Sequence, residues 1–305
     1  MKKKPIDISL VMISYNTKQI TLNALRSIYK HSKNVNFGII MVDHNSKDGS
    51  VLALEKFSKT KNNLTFLDTK KNPGFGAGNN LGAKKALGKY LLFINPDVLF
   101  TTNVLKKALT WIKAHPKVGA YSCKLLNKDL TVQATGGYFP TLSRILAWQL
   151  FIDDLPIIRN LIKSVHPHQP YYHKSRSLDW VTGAFTIIPR KLFEKLKGFD
   201  ENIWMYAEEL ELCYRVKKMG YSVTYQNSPS LIHLGGSSSG GSRLGLAQEI
   251  KNLIYFYKKH KPAWQLPIVK LLFITGSVLR FIIFGIIGNN ETARKAYLQA
   301  IKLAI

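Results

Sequence analysis

Cysteine is almost missing from this 305-residue chain: only Cys123 and Cys213 occur, far apart and in no CxxC arrangement. That excludes a disulfide framework and a cysteine-based zinc site, and it points to a reducing compartment. Acidic residues are scarce too, 18 against 44 Lys and Arg, so the formal charge is +26. Such an excess favours anionic partners: nucleotides, nucleic acid or an acidic lipid surface. A generally basic surface also serves solubility alone. No secretory leader is read at the start. Met1-Lys2-Lys3-Lys4 precedes a short apolar run, Ile6–Ile13, that carries Asp7 and Ser9 and suits a buried strand better than an h-region. There is no internal repeat, and GGSSSGG at 235–241 reads as a flexible loop. The remainder, 46% hydrophobic and 20% charged, is the balance of a folded globular protein.

The pattern of the first 121 residues is α/β. Ile6–Ile13, Phe37–Val42, Leu64–Leu67, Tyr90–Ile94 and Val118–Tyr121 are short apolar runs of strand length. Leu22, Leu25, Ile28 and Tyr29 mark one helical face between them, and Leu105, Ala108, Leu109 and Ile112 mark another. Asn16-Thr17 and Thr101-Thr102-Asn103 are candidate N-caps. Alternation of this kind predicts a parallel sheet with helices on both faces, whose ligands sit beyond the carboxyl ends of the strands. Residues 129–178 read as irregular, and the His166, His168 and His173 cluster with its prolines fits a loop better than a metal site. Order returns with a strand from Trp180 to Ile188, a helix from Pro189 and a second from Glu208 to Met219. A hairpin, Ser222–Tyr225 and Ser230–His233, follows. The division expected is a catalytic domain over 1–250 and a helical, membrane-associating segment over 251–305.

That last segment carries nine Lys or Arg and one acidic residue, Glu291. Within it, Ile268–Ile287 holds fourteen large aliphatic or phenylalanine side chains in twenty. Arg280 near its centre costs about 2.5–3.5 kcal/mol on insertion, so spanning is not excluded. The preferred reading is a helix lying in the interface, with Lys258, Lys259, Lys261, Arg294 and Lys295 meeting anionic lipid. A helix packed on the catalytic domain is the alternative.

Four polar constellations stand at expected strand ends. Ser14-Tyr15-Asn16 and Asp43-His44-Asn45-Ser46 offer acceptors for a nucleobase imide or a ribose hydroxyl, although such residues also cap helices. Asn72–Gly82, NPGFGAGNNLG, lets backbone approach a ligand at Gly76. It imitates a dinucleotide fingerprint but has Asn79 where the third glycine belongs, and it follows the third strand rather than the first. Asn95-Pro96-Asp97 ends a buried strand, where a carboxylate can hold Mg²⁺ or Mn²⁺ with positions open to diphosphate oxygens. An ordinary Asn-Pro turn is its plainer explanation.

In this order, SYN, VDHNS, NPGFGAGNN and NPD resemble the family 2 glycosyltransferases of GT-A fold, closest to the rhamnosyltransferase-like branch of surface polysaccharide synthesis. DWVTGA at 179–184, GFDE at 198–201, MYAEELELCYR at 205–215 and His233 before GGSS extend the resemblance over roughly residues 6–240. It implies that Asp43 binds the nucleotide base, with Ser14, Tyr15, Asn16 and Asn45 nearby. The Asn79-Asn80 turn, Gly76 and Asn95 would line the donor site. Asp97 and His233 would hold Mn²⁺ or Mg²⁺, while Trp180, Gly183 and Glu208 would face the acceptor. Glu209 falls where the family commonly has its aspartate base, a departure that leaves Glu208 and Glu211 as competitors. Glu211 is better explained by an i,i+4 pair with Arg215 in an exposed acidic first turn.

The reaction implied is inverting sugar transfer from dTDP-rhamnose or a UDP-sugar to a glycan or polyprenyl-diphosphate-linked acceptor, at the cytoplasmic face of a membrane. The chain lacks the QxxRW motif of processive synthases. A sugar-phosphate nucleotidyltransferase would open with a glycine-rich arginine loop, which is absent. A basic nucleic-acid-binding protein would explain the charge, but no helix-turn-helix, zinc or RNP pattern occurs, so nucleic acid is not an expected partner.

Overall fold

The structure, a computed structural model, describes residues 5–235 and 242–305. Among the described residues eleven strands form: β1 (Ile8–Ser14), β2 (Phe37–Asp43), β3 (Leu64–Asp68), β4 (Tyr90–Ile94), β5 (Val98–Leu99), β6 (Val118–Leu126), β7 (Gly136–Gly137), β8 (Arg176–Leu178), β9 (Trp180–Val181), β10 (Phe185–Pro189) and β11 (Ser222–His233). The helices are α1 (Lys18–His31), α2 (Ser50–Ser58), α3 (Phe75–Ala83), α4 (Val104–Ala114), α5 (Leu142–Gln149), α6 (Arg190–Lys195), α7 (Glu208–Lys218), α8 (Ser242–His260), α9 (Gln265–Arg280) and α10 (Glu291–Ala304).

The chain divides into two compact units. The first comprises Met1–Gly136, Gln169–Trp204 and Glu208–Ser238; the second comprises Gly137–His168, Met205–Ala207 and Ser239–Ile305. A boundary at residue 250 would therefore cut α8, and residues 137–168 join the C-terminal helices.

The first unit is built on a nine-stranded sheet of order β3-β2-β1-β4-β10-β6-β11-β5, with β8 also on β11. β3, β2, β1 and β4 run parallel, so their carboxyl ends share one edge. Beyond them the sheet is mixed, because β10 runs antiparallel to β4 and β6. β1 is buried at every residue, as a central strand covered on both faces should be. Its alternating side chains show the two layers. Ile8, Leu10 and Met12 join the core containing Leu25 and Ile28 of α1 and Leu105 and Leu109 of α4. Val11 and Ile13 face the other way, against Gly82 and Gly78 of α3. Asn103 caps α4 by accepting from the Lys106 N–H, whereas the Thr17 side chain makes no cap bond to α1.

Two expectations need correction here. Ser222–His233 is not a hairpin but one strand, because both halves pair in parallel with β6 and residues between Gln226 and Ser230 form an irregularity. The stretch 129–178 is not wholly irregular, since α5 forms from Leu142, capped by Thr141. The GGSSSGG reading lies outside the described residues from 236 to 241.

The second unit is helical. α8, α9 and α10 pack on one another, and α5 packs on α9, with the Trp148 and Phe273 rings 6.2 Å apart. Gln265–Ile287, α9 continued by a π-helical turn from Phe281, is long and apolar enough to cross a membrane. Yet Arg280 is 8% exposed and donates to the carbonyls of Trp148 (2.6 Å) and Gln149 (2.7 Å). The Trp148 carbonyl also accepts from the Phe151 N–H at 3.4 Å, so the guanidinium adds to the capping at the end of α5. The charge that would oppose insertion is thus already bonded inside the unit.

Candidate active site

The carboxyl ends of β1 and β2 meet side by side, Ser14 opposite Asp43. Asp43 is fully buried and accepts from the N–H and the hydroxyl of Ser46, both at 2.8 Å. Burial pushes its carboxyl above the usual value, and hydrogen bonds from Ser46 and Ser14 pull it back. Ser46 Oγ in turn accepts from the Asn16 N–H, and Asn16 Oδ1 accepts from the Lys47 N–H. Asn16 and Asn45 both adopt positive φ, a conformation asparagine tolerates. The two loops are therefore cross-tied into one ledge, with Tyr15 exposed upon it. Asp48, which the motif reading passed over, accepts from the Lys18 and Ser50 N–H groups at the starts of α1 and α2.

Beside this ledge lies the glycine-rich segment. Gly74 has φ +92°, and a Cβ there would stand 2.4 Å from the Trp204 carbonyl. Asn79 and Asn80 lie in helix α3 rather than in a turn. Asn79 Nδ2 donates to the Phe75 carbonyl. The Asn80 amide is engaged by Phe199 and Glu201, so it holds the Gly198–Glu201 turn against α3. Beneath α3 sits His44, 2% exposed, its Nε2 so close to Gly78 that a Cβ would lie 2.1 Å away.

Burial pushes the His44 imidazole down to about 4, against the pull of its hydrogen bond with Asn72. The unfolded chain therefore takes up a proton near pH 6.5, which the folded chain refuses until about 4. Stability is complete above pH 6.5 and falls as the pH drops towards 4, by about 3 kcal/mol. Tm measured across that window should slope less in His44→Asn than in wild type. An unchanged slope would contradict this.

The third group is the most telling. Asp97 is 5% exposed and faces His233, with Oδ1 3.2 Å from Nε2. β5 brings them together: Val98 pairs with His233 in β11, and the Leu234 N–H donates to the Asp97 carbonyl. The protonation pattern follows from the neighbours. Gln133 Nε2 donates to Asn127 Oδ1 (2.6 Å) and the His233 carbonyl (2.7 Å), which leaves its Oε1 to accept from His233 Nδ1 at 2.8 Å. Asn95 Nδ2 lies 3.2 Å from Nε2, the donor side of an amide against a ring lone pair. Asp97 Oδ1 and His233 Nε2 thus face each other across 3.2 Å, a carboxylate–imidazole pairing that suits a site for Mn²⁺ or Mg²⁺. Among the described residues no group of three His, Cys, Asp or Glu converges on one point, so further ligands would come from a bound phosphate or water.

Gln133 was not found from sequence, because it lies 100 residues from His233 and in no recognisable motif. A partner that fixes the outer nitrogen of a metal-ligating histidine typically contributes 10–100-fold in metal affinity. If His233 holds the cation, Gln133→Leu should therefore weaken Mn²⁺ binding by about that factor. Equal weakening by Gln133→Leu in a His233→Ala background would show that Gln133 does not act through His233.

Glu209, the candidate base, stands on α7. It is half-buried at the start of α7, and its Oε1 lies 3.4 Å from the Gly183 N–H. The next carbonyl, Ala184, accepts from the Asn95 N–H, so the 183–184 backbone links Glu209 to the Asp97 loop. Gly183 packs on Phe75, where a Cβ would stand 3.0 Å from the ring, and Trp180 is half-buried in β9. The i,i+4 pair expected of Glu211 with Arg215 is present, but the exposed setting expected for it is not. Glu208 is 4% exposed, and Glu211 is fully buried in a bidentate pair with Arg215. Arg215 also donates to the carbonyls of Leu196 and Gly198, so this pair holds α7 to the turn after α6.

The family model for glycosyl transferase family 2 matches residues 9–196. The chain belongs to that family. Asp43, Asn95 and Asp97 fall inside the match, while Glu209 and His233 lie beyond its end. Among curated proteins, the chain is 31% identical over 157 residues to the O-antigen biosynthesis protein RfbC of Myxococcus xanthus, covering 51% of this chain and 12% of that one. It is 30% identical to the rhamnosyltransferase WbbL of Escherichia coli, covering 52% and 60%. It is 24% identical to the N-acetylglucosaminyl-diphospho-decaprenol L-rhamnosyltransferase of Mycobacterium tuberculosis, covering 68% and 71%. The mannosyltransferase PcManGT of Pyrobaculum calidifontis, solved with GDP-Man and Mn²⁺, superposes with TM-score 0.61 at 16% identity, covering 99% and 86%. This family 2 chain therefore has the GT-A architecture, and helices form its C-terminal part.

Proposed function

We propose that the protein transfers a sugar, in the manner of its rhamnosyltransferase relatives, from a nucleotide-sugar to a lipid-linked glycan with inversion at the anomeric carbon. The single observation that carries this is the Asp97–His233 pair at the carboxyl edge of a GT-A sheet, oriented by Asn95 and Gln133. Asp97 and His233 would hold a divalent cation. When bound, that ion neutralises the charge of a departing nucleoside diphosphate. The Asn16–Ser46 ledge receives the nucleoside, with Asp43 shaping it from beneath and Tyr15 and Asn45 at its surface. Asn79 and Gly76 line the donor side. Trp180, Gly183 and Glu208 form the acceptor side, where Glu209 takes the proton of the attacking hydroxyl. A sugar hydroxyl is far too weak an acid to attack unaided, so a carboxylate must receive its proton as the bond forms. With base and leaving group on opposite sides, one displacement inverts the centre, and no second carboxylate serves as nucleophile.

The relatives' names, a rhamnosyltransferase and an N-acetylglucosaminyl-diphospho-decaprenol L-rhamnosyltransferase, support a polyprenyl-diphosphate-linked acceptor, and the donor in this reading is dTDP-rhamnose or a UDP-sugar. The nine Lys or Arg of residues 251–305 support a position on the cytoplasmic face of an anionic membrane. Thermal-shift screening of nucleotide-sugars with and without Mn²⁺ tests the reading. One donor should raise Tm only with the metal, and a panel without any such donor would count against it.

A further inference from the structure

We propose that Leu146–Lys163 forms a second membrane-inserting element, a monotopic wedge that enters an anionic bilayer together with α9. This rests on the membrane reading given above. The segment turns large apolar side chains outward: Leu155, Ile157 and Leu161 are 49%, 79% and 77% exposed. Of its two acidic residues, Asp153 is buried, accepting from the Ser164 hydroxyl at 2.5 Å, and Asp154 is exposed beside His168. Arg159 and Lys163 are exposed in the same turns, the flanking cations that an apolar wedge requires at a headgroup layer.

The wedge is also anchored. Arg280 bonds the carbonyls of Trp148 and Gln149, and the Phe151 ring lies 6.0 Å from Phe284. It is thereby tied to an apolar helix that itself leaves Leu271, Ile286 and Ile287 in solvent. The unit to which both belong holds thirteen Lys or Arg against four Asp or Glu. That balance selects an acidic lipid surface over an apolar protein partner.

The test uses the full chain. Cys123 and Cys213 are both buried, so Ile157→Cys can be labelled selectively with a polarity-sensitive fluorophore. On phosphatidylglycerol vesicles its emission should shift to the blue and be quenched by nitroxide-labelled lipid. A label at Leu52→Cys, 75% exposed in the first unit, should do neither. Ile157→Glu with Leu161→Glu should lower vesicle partitioning by about tenfold or more for each side chain, with Tm unchanged. If wild type binds vesicles while the label at 157 stays in water, the wedge is wrong and the membrane reading stands. If wild type ignores anionic vesicles, both fall. A dimer in light scattering that the two Glu substitutions dissolve would instead make this face an interface between copies and overturn the proposal.

Discussion

Asp97→Ala and His233→Ala are each expected to reduce sugar transfer by about 10³-fold or more, the scale of a lost Lewis acid worth several kcal/mol. Both should also weaken Mn²⁺-dependent nucleotide binding. Neither should unfold the protein. His233 is anchored by backbone pairing to Val98, and the Asp97 carbonyl keeps its bond from Leu234 whatever the side chain. Tm in the absence of metal therefore separates a lost ligand from a lost fold. Calorimetric titration of Mn²⁺ with nucleotide is the decisive check, and unchanged affinity in both variants would remove these residues from the metal role.

The second large effect concerns the base. Glu209→Gln keeps size and polarity but removes basicity, so turnover should fall by about 10²–10⁴ with donor affinity nearly unchanged. The neighbours separate by burial. Glu208→Gln should cost distinctly less turnover. Glu211→Gln should appear mainly in Tm, because it leaves Arg215 without its buried partner, a loss of about 3–5 kcal/mol. A Glu208 or Glu211 variant more damaged in turnover than Glu209→Gln, measured on folded protein, would move the proton elsewhere.

The α/β half of the molecule was legible because its strands are buried on both faces and so read as continuous apolar runs of the right length. Runs bounded by turn residues placed Ser14, Asp43 and Asp97 at strand ends correctly. The β11 hairpin misread shows where that logic stops: an irregularity between Gln226 and Ser230 carries the same turn residues as a reversal, and only pairing with β6 distinguishes them. Residues 137–168 looked irregular because their apolar side chains follow no single period, and part of that set faces outward. Gln133 was invisible for another reason. Its role is set by a contact across 100 residues, and a lone glutamine has no local signature. The burial of Glu208 and Glu211 was likewise unreadable, since an acidic helix start looks the same whether it meets water or a guanidinium.

The central claim is sugar transfer at the Asp97–His233 site. It is tested most directly by offering the purified protein a nucleotide-sugar panel and a polyprenyl-diphosphate-linked glycan. The readout is label in the lipid fraction, with and without chelator. The account predicts that one donor's sugar is incorporated with inverted anomeric configuration. Incorporation should stop on chelation and return with Mn²⁺ in wild type, but not in His233→Ala. Transfer that proceeds undiminished after chelation, or release of pyrophosphate in place of a nucleoside diphosphate, would contradict it.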